Sequence, residues 1–177
     1  MKTICGIIGA FALTVGFAPG IAVAQGLPGG ANSLNETHGN WTVACSAPEG
    51  EARCTILQNQ VSGENRQRLL AVELRATEGG SKAEGMLVLP FGLSLEDGVA
   101  LSIDEAEALP PLRFSTCLPL GCLVPLDLDA DVVSALRAGG ALVVQVVASE
   151  TGQEISFSIS LTGFTSALAR IAELSGA

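Results

Sequence analysis

Short stretches that alternate apolar and polar residues recur along most of the chain, and this pattern constrains the fold more than any other feature. In residues 155–161, three serines alternate with Ile155, Phe157, Ile159 and Leu161. A period of two is typical of a β-strand with one face against a core. Similar runs, separated by turns rich in glycine, proline and aspartate, occupy 41–45, 54–61, 69–76, 84–90, 99–103, 112–117, 121–127 and 142–148.

These runs predict the fold class. Eight or nine short strands at regular spacing indicate a mainly β, single domain, either an antiparallel β-sandwich or a barrel-like fold. Run 142–148 is apolar on both faces apart from Gln145, as expected for a central strand.

Two short helices are also predicted. Residues 131–138 begin with acidic side chains and end before Gly139-Gly140, which suits helix capping and the helix dipole. Residues 165–174 form the second, with Phe164, Leu168 and Ile171 on one stripe. We expect that stripe to dock on the core, the alternative being that it grips a partner.

The first 24 residues have the composition of a secretory signal peptide. Lys2 precedes an apolar stretch that Pro19 and several glycines interrupt, and Ala22-Val23-Ala24 fits a signal-peptidase site with cleavage before Gln25. No later apolar run reaches the ~20 residues that span a bilayer. We therefore predict a signal peptide at 1–24 and a mature chain without a transmembrane segment. The expected location is the periplasm, with the outer surface or secretion as alternatives.

The mature chain is expected to be acidic and to begin with a flexible segment. Cleavage removes one of nine basic residues and none of the 18 acidic ones, leaving a net charge of −10. Such a charge repels phosphate backbones, so nucleic acid is not an expected partner. Residues 25–40, rich in glycine, asparagine and serine, are predicted to be a flexible lead before a folded β domain at 41–177.

Four cysteines remain in the mature chain: Cys45, Cys54, Cys117 and Cys122. An even number in an exported chain predicts two disulfides. Three pairings are possible, and sequence proximity favours Cys45–Cys54 and Cys117–Cys122. A redox site would need closer spacing, and a zinc site would need more than the single histidine. We predict no metal and no cofactor.

Several motifs occur in an order that resembles a known family. They are Trp41-x-Val43-x-Cys45 with Cys54, Leu87-x-Leu89-Pro90-Phe91-Gly92, Gly98-x-x-Leu101-x-Ile103-Asp104, Phe114-x-x-Cys117 with Gly121-Cys122, and Ser160-x-x-Gly163-Phe164-x-x-Ala167-Leu168. Together they resemble the invasion-associated locus B family of proteobacterial envelope proteins. The resemblance implies a secreted or periplasmic protein and brings no catalytic residues. Trp41, Gly92, Gly121 and Gly163 match its motifs, with packing and backbone geometry as their expected roles.

The sequence offers little catalytic chemistry, so we predict that the protein is not an enzyme. Asp127-Leu128-Asp129-Ala130-Asp131 opens like a calcium loop, but Val132 and Ala138 stand where such a loop needs glycine and glutamate. Helix capping is the preferred interpretation. A serine hydrolase would need His38, which lies outside the predicted domain, and a Gly-x-Ser-x-Gly motif is missing. Hydrolase and redox activities remain the less favoured alternatives.

The segment around the second disulfide is apolar for a loop. We predict that it forms a contact surface for another envelope protein in the periplasm. The alternative is that the protein is displayed on the bacterial surface and that this segment contacts host cells. The contact residues are Leu118, Pro119, Leu120 and Leu123. The alternative is that these leucines are part of the core.

Overall fold

The computed structural model describes residues 26–63 and 68–176, so the predicted signal peptide lies outside the described residues. Seven antiparallel strands form a large sheet in the order β1-β2-β3-β4-β5-β8-β7. They are β1 (Ser33–His38), β2 (Trp41–Ser46), β3 (Arg53–Val61), β4 (Arg68–Thr77), β5 (Lys82–Leu89), β7 (Thr116–Leu118) and β8 (Gly121–Leu128). A small antiparallel sheet has the order β10-β9-β6, from β6 (Ala100–Ile103), β9 (Ala141–Val147) and β10 (Glu154–Ser160). The predicted central position of β9 is confirmed.

The two sheets and two helices share one core. The helices are α1 (Ala130–Ala138) and α2 (Phe164–Ser175). Inward side chains alternate along each long strand, and the best-buried ones include Val43, Ile56, Leu70, Leu87 and Val124. Each such side chain contributes about 1.5–3 kcal/mol through burial. In the described residues the large sheet ends at β1 and β7 without closing into a barrel, so the sandwich alternative is confirmed.

Side chains of the large sheet close one edge of the small sheet. The Trp41 indole N–H donates to the Ser160 carbonyl at 2.9 Å, and the Gln58 amide donates to the same oxygen at 3.0 Å. The Gln60 amide donates to the Ser158 carbonyl at 2.6 Å. Strand β10 is an edge strand, so these bonds satisfy carbonyls that no neighbouring strand pairs.

Both helices occupy the predicted places. Phe164, Leu168 and Ile171 are fully buried against the large sheet, which confirms the docking of α2 on the core. The ring of Phe164 meets that of Trp41 edge to face, with centroids 5.3 Å apart. At the start of α1, the Asp129 carboxylate accepts a bond from the Val132 amide at 2.9 Å, so this aspartate is a helix cap.

Two sequence predictions are wrong. Strand β1 lies within residues 25–40, which were expected to be a flexible lead, so the folded domain begins before Trp41. Leu34 is the only apolar residue of this strand, so its side chains do not show the alternating pattern of a strand. Backbone pairing with β2 holds the segment in a defined conformation instead. The predicted strand 112–117 begins only at Thr116, because the chain crosses here from the small sheet, where Leu112 makes a single bridge to Val99.

Candidate contact surface

Both disulfides have the pairing that sequence proximity favours. Cys45 and Cys54 lie opposite each other on β2 and β3, with Cα atoms 4.1 Å apart. Cys117 and Cys122 are opposite on β7 and β8, with Cα atoms 3.9 Å apart. Each disulfide therefore joins neighbouring strands that are already paired, and the second one fixes the hairpin that carries the predicted contact residues.

The hairpin between β7 and β8 exposes apolar side chains. Leu118 is 43% exposed and Leu120 52% exposed, Pro119 is exposed, and Leu123 is half-buried on the outer face of the sheet. The alternative that Leu118 and Leu120 are part of the core is thereby excluded. Gly121 has a φ of +139°, and a Cβ atom there would lie 2.5 Å from the Leu89 carbonyl oxygen. Only glycine lets the hairpin lie this close to the end of β5.

Strand register brings exposed apolar side chains from three other segments to the same end of the large sheet. β5 ends at Leu89, opposite Cys122, so the residues that follow β5 lie beside the β7–β8 turn. The end of β3 and the start of β4 lie at this end as well, since β4 is antiparallel to both neighbours. We define the apolar tip as Val61, Leu69, Phe91, Leu118 and Leu120, of which the first three are 54%, 37% and 61% exposed.

The apolar tip has an ordinary area for the largest apolar patch of a single domain. Its exposed side chains, with Leu95 on the small-sheet side, present on the order of 500 Å², which is comparable to the largest apolar patch of a typical monomer. Sequence reasoning identified the hairpin leucines and missed Val61, Leu69 and Phe91. Phe91 could have been identified from the sequence, because it follows Pro90 in a turn and is not part of a strand that would place its large apolar side chain in the core.

Charge is concentrated at the opposite end of the large sheet. The β2–β3 turn, the β4–β5 turn and the end of β8 lie there, with the acidic residues Glu49, Glu51, Glu78, Asp127, Asp129 and Asp131. Two of them pair with basic side chains at the same end, Glu51 with Arg53 at 3.7 Å and Glu78 with Lys82 at 2.7 Å, so the excess of acidic over basic side chains is moderate. α1 is tied to this end by a 2.7 Å bond from the Arg137 guanidinium to the Gly80 carbonyl. The described part of the molecule thus has an acidic end and an apolar end.

A cluster of polar side chains joins β1 to α2 and has the residue types of a hydrolase triad. The His38 ring lies 3.2 Å from the Ser166 hydroxyl through Nδ1 and 3.3 Å from the Glu36 carboxylate through Nε2. Ser166, however, also donates to the Gly163 carbonyl at 3.0 Å, whereas a nucleophile needs to pass its proton to the imidazole.

The same carboxylate is the centre of an ion pair. The Arg170 guanidinium makes two 3.0 Å bonds to Glu36, and a third of 3.0 Å to Glu173. The bond from Arg170, followed by that from His38, lowers the pKa of Glu36. The bond to Glu36 in turn raises the pKa of Arg170. These contacts give the cluster a structural role, because they hold the edge strand β1 against α2.

Other candidate sites are weaker. Across residues 26–63 and 68–176, no group of three or more His, Cys, Asp and Glu side chains could hold a metal ion. A groove of about 660 Å³ on the outer face of the large sheet is lined in part by Glu73 and Met86, and the charged side chains of Arg75 and Glu84 pair with each other there. Neither helix of the described chain has the length and apolar character needed to cross a membrane.

Comparison with known proteins places this geometry in a family. Residues 41–172 match the family model described as invasion associated locus B (IalB) protein. An invasion protein B homolog of Brucella abortus strain 2308 is 46% identical over 153 residues, which cover 86% of this chain and 87% of the relative. Invasion protein B of Bartonella bacilliformis is 33% identical over 84% of this chain and 80% of its own length.

A solved structure agrees with the sequence comparisons. The crystal structure of invasion associated protein B from Bartonella henselae superposes with a TM-score of 0.74 at 32% identity, covering 81% of this chain and 98% of that one. The family match and the relatives extend over nearly all of the β domain described above. The chain therefore belongs to the invasion associated locus B family.

Proposed function

We propose that this protein is an exported, non-enzymatic envelope protein that acts in the periplasm by contact with another protein chain. The observation that carries the proposal is the apolar tip, which gathers five exposed large side chains from four separate segments. Two disulfides support an oxidising compartment such as the periplasm. The proposal includes cleavage of residues 1–24 as a signal peptide.

The apolar tip suits protein recognition because part of it is preorganised. The Cys117–Cys122 disulfide and the tight turn at Gly121 fix the hairpin that presents Leu118, Pro119 and Leu120. A surface that is already ordered loses little conformational entropy when it binds, so more of its burial free energy is available for affinity. Exposed apolar anchors that enter a partner's pocket usually dominate such interfaces.

A double variant tests this proposal. Leu118→Ser with Leu120→Ser should change the free energy of unfolding by less than about 1 kcal/mol, because both side chains already contact water. A photocrosslinking amino acid at position 119 should give a crosslinked product in living cells, and the double variant should abolish it. The matched control is a photocrosslinker at Glu51, at the acidic end, which should give no such product. A double variant that unfolds, or that keeps the crosslink, contradicts the proposal.

The names of the relatives favour a second candidate function. An invasion protein B and an invasion protein B homolog are 33% and 46% identical to this chain, so a surface-displayed factor for attachment to host cells is the alternative. Protease treatment of intact cells separates the two candidates. A periplasmic protein should be degraded only after the outer membrane is permeabilised, whereas a surface-displayed one should be degraded at once.

A further inference from the structure

The proposed function leaves open which chain the apolar tip contacts. We propose that the occupant is a second copy of this chain, bound tip to tip about a two-fold axis. This inference rests on the proposed function, since it names the partner for the same surface. Two properties of the described residues support it: the area of the tip and the distribution of charge around it.

The area is suitable for a dimer. The exposed apolar side chains present on the order of 500 Å², and a standard interface buries roughly 800 Å² on each partner. Other exposed residues around the tip, including Pro119, Gly92 and Thr116, can supply the remaining contact area. A two-fold contact uses the same patch twice, so the apolar centre of one copy meets an equally apolar centre.

The distribution of charge permits a partner that is itself acidic. A strongly acidic chain normally repels its own copies. Tip-to-tip contact places the acidic ends, with Glu49, Glu51, Glu78 and Asp127, at the two far ends of the dimer, beyond the reach of screened repulsion.

The margins of the tip are complementary to each other. On the large-sheet side the exposed Arg68 lies at the start of β4, next to Val61 in the register. On the small-sheet side lie the exposed residues Glu96, Asp97 and Glu150, near the bonds that join Gly92 to Ser149 and Ser94 to Val147. A two-fold axis that runs across the large sheet, perpendicular to its strands and in the plane of the sheet, brings the basic margin of each copy to the acidic margin of the other.

Sedimentation of the oxidised mature protein tests the inference. Between about 1 and 100 µM, a range in which an interface of micromolar affinity dissociates, we expect the weight-average mass to rise toward twice the monomer mass. Phe91→Ser with Leu120→Ser should leave a monomer throughout. Arg68→Glu should raise the dissociation constant at least about tenfold, and Glu150→Arg added to Arg68→Glu should restore it to within about threefold, as for a compensated pair. Glu51→Lys, a charge change at the acidic end, should have no effect.

Other outcomes overturn the inference and separate it from the proposed function. A chain that stays monomeric at 100 µM, or a charge swap that fails to restore association, excludes the two-fold contact. If the monomer still gives the position-119 crosslink to a different protein, the proposed function stands and only the identity of the partner is wrong. If the monomer instead floats with phosphatidylcholine vesicles, and the Phe91→Ser and Leu120→Ser variant does not, the tip is a lipid-binding surface and both are wrong.

Discussion

Two phenylalanines lie in opposite environments, so the same change to alanine at each position tests which residues belong to the core and which to the contact surface. Phe164 is fully buried and packs edge to face on Trp41 at 5.3 Å, whereas Phe91 is 61% exposed at the apolar tip. Phe164→Ala should lower the free energy of unfolding by about 4 kcal/mol, from the 3–5 kcal/mol typical of a buried phenylalanine, including the aromatic pair. Phe91→Ala should lower it by less than about 1 kcal/mol.

Urea denaturation of the oxidised mature protein, followed by tryptophan fluorescence, measures both values. With a denaturant slope of about 2 kcal/mol per molar, Phe164→Ala should shift the midpoint by about 2 M and Phe91→Ala by less than 0.5 M. The native chain is the reference, and equal slopes are needed for the comparison. A cost for Phe91→Ala equal to that of Phe164→Ala would mean that Phe91 belongs to the core, and the apolar tip would lose its most exposed member.

Three further predictions concern the disulfide, the ion pair and the N-terminus. Replacing Cys45 and Cys54 together by alanine should cost about 2–3 kcal/mol in urea denaturation, as expected for a short crosslinked loop, and a negligible cost would contradict this. The pKa of Glu36 is lowered from 4.5 by the bond from Arg170. The ionised Glu36 carboxylate therefore stabilises the fold fully above pH 4.5, and this contribution to the free energy of unfolding is lost as the pH falls through the lowered pKa of the folded protein. The stability difference between the native chain and Glu36→Gln, measured from pH 6 to pH 2, should therefore shrink below pH 4.5, and a constant difference would refute it. Intact mass of the exported protein should correspond to a chain beginning at Gln25 without free thiols, and a mass that retains Met1 would exclude cleavage.

The sequence predicts elements well where one local signal dominates. Alternation located β10, and the acidic start with a glycine pair at the end located α1, because each pattern records a single environment along one segment. Strand β1 was missed because Leu34 is its only apolar residue and its order comes from pairing with β2. Most of the apolar tip was missed for a related reason. Val61, Leu69 and Phe91 lie beside turns that are distant in sequence, and only the register of the strands places them at the same end of the sheet.

Contacts between the N-terminal and C-terminal parts of the domain have a consequence for how it folds. The Trp41 indole reaches Ser160, 119 residues later, and the Asn40 amide donates to the Thr162 carbonyl. α2 then covers the same strands from the end of the chain. A polypeptide that emerges N-terminus first therefore cannot bury Trp41 until its last fifteen or so residues are available, and loop-closure entropy slows that step. Truncation before Phe164 should leave a sheet with an uncovered apolar face, so premature termination gives an aggregation-prone product rather than a shorter working domain.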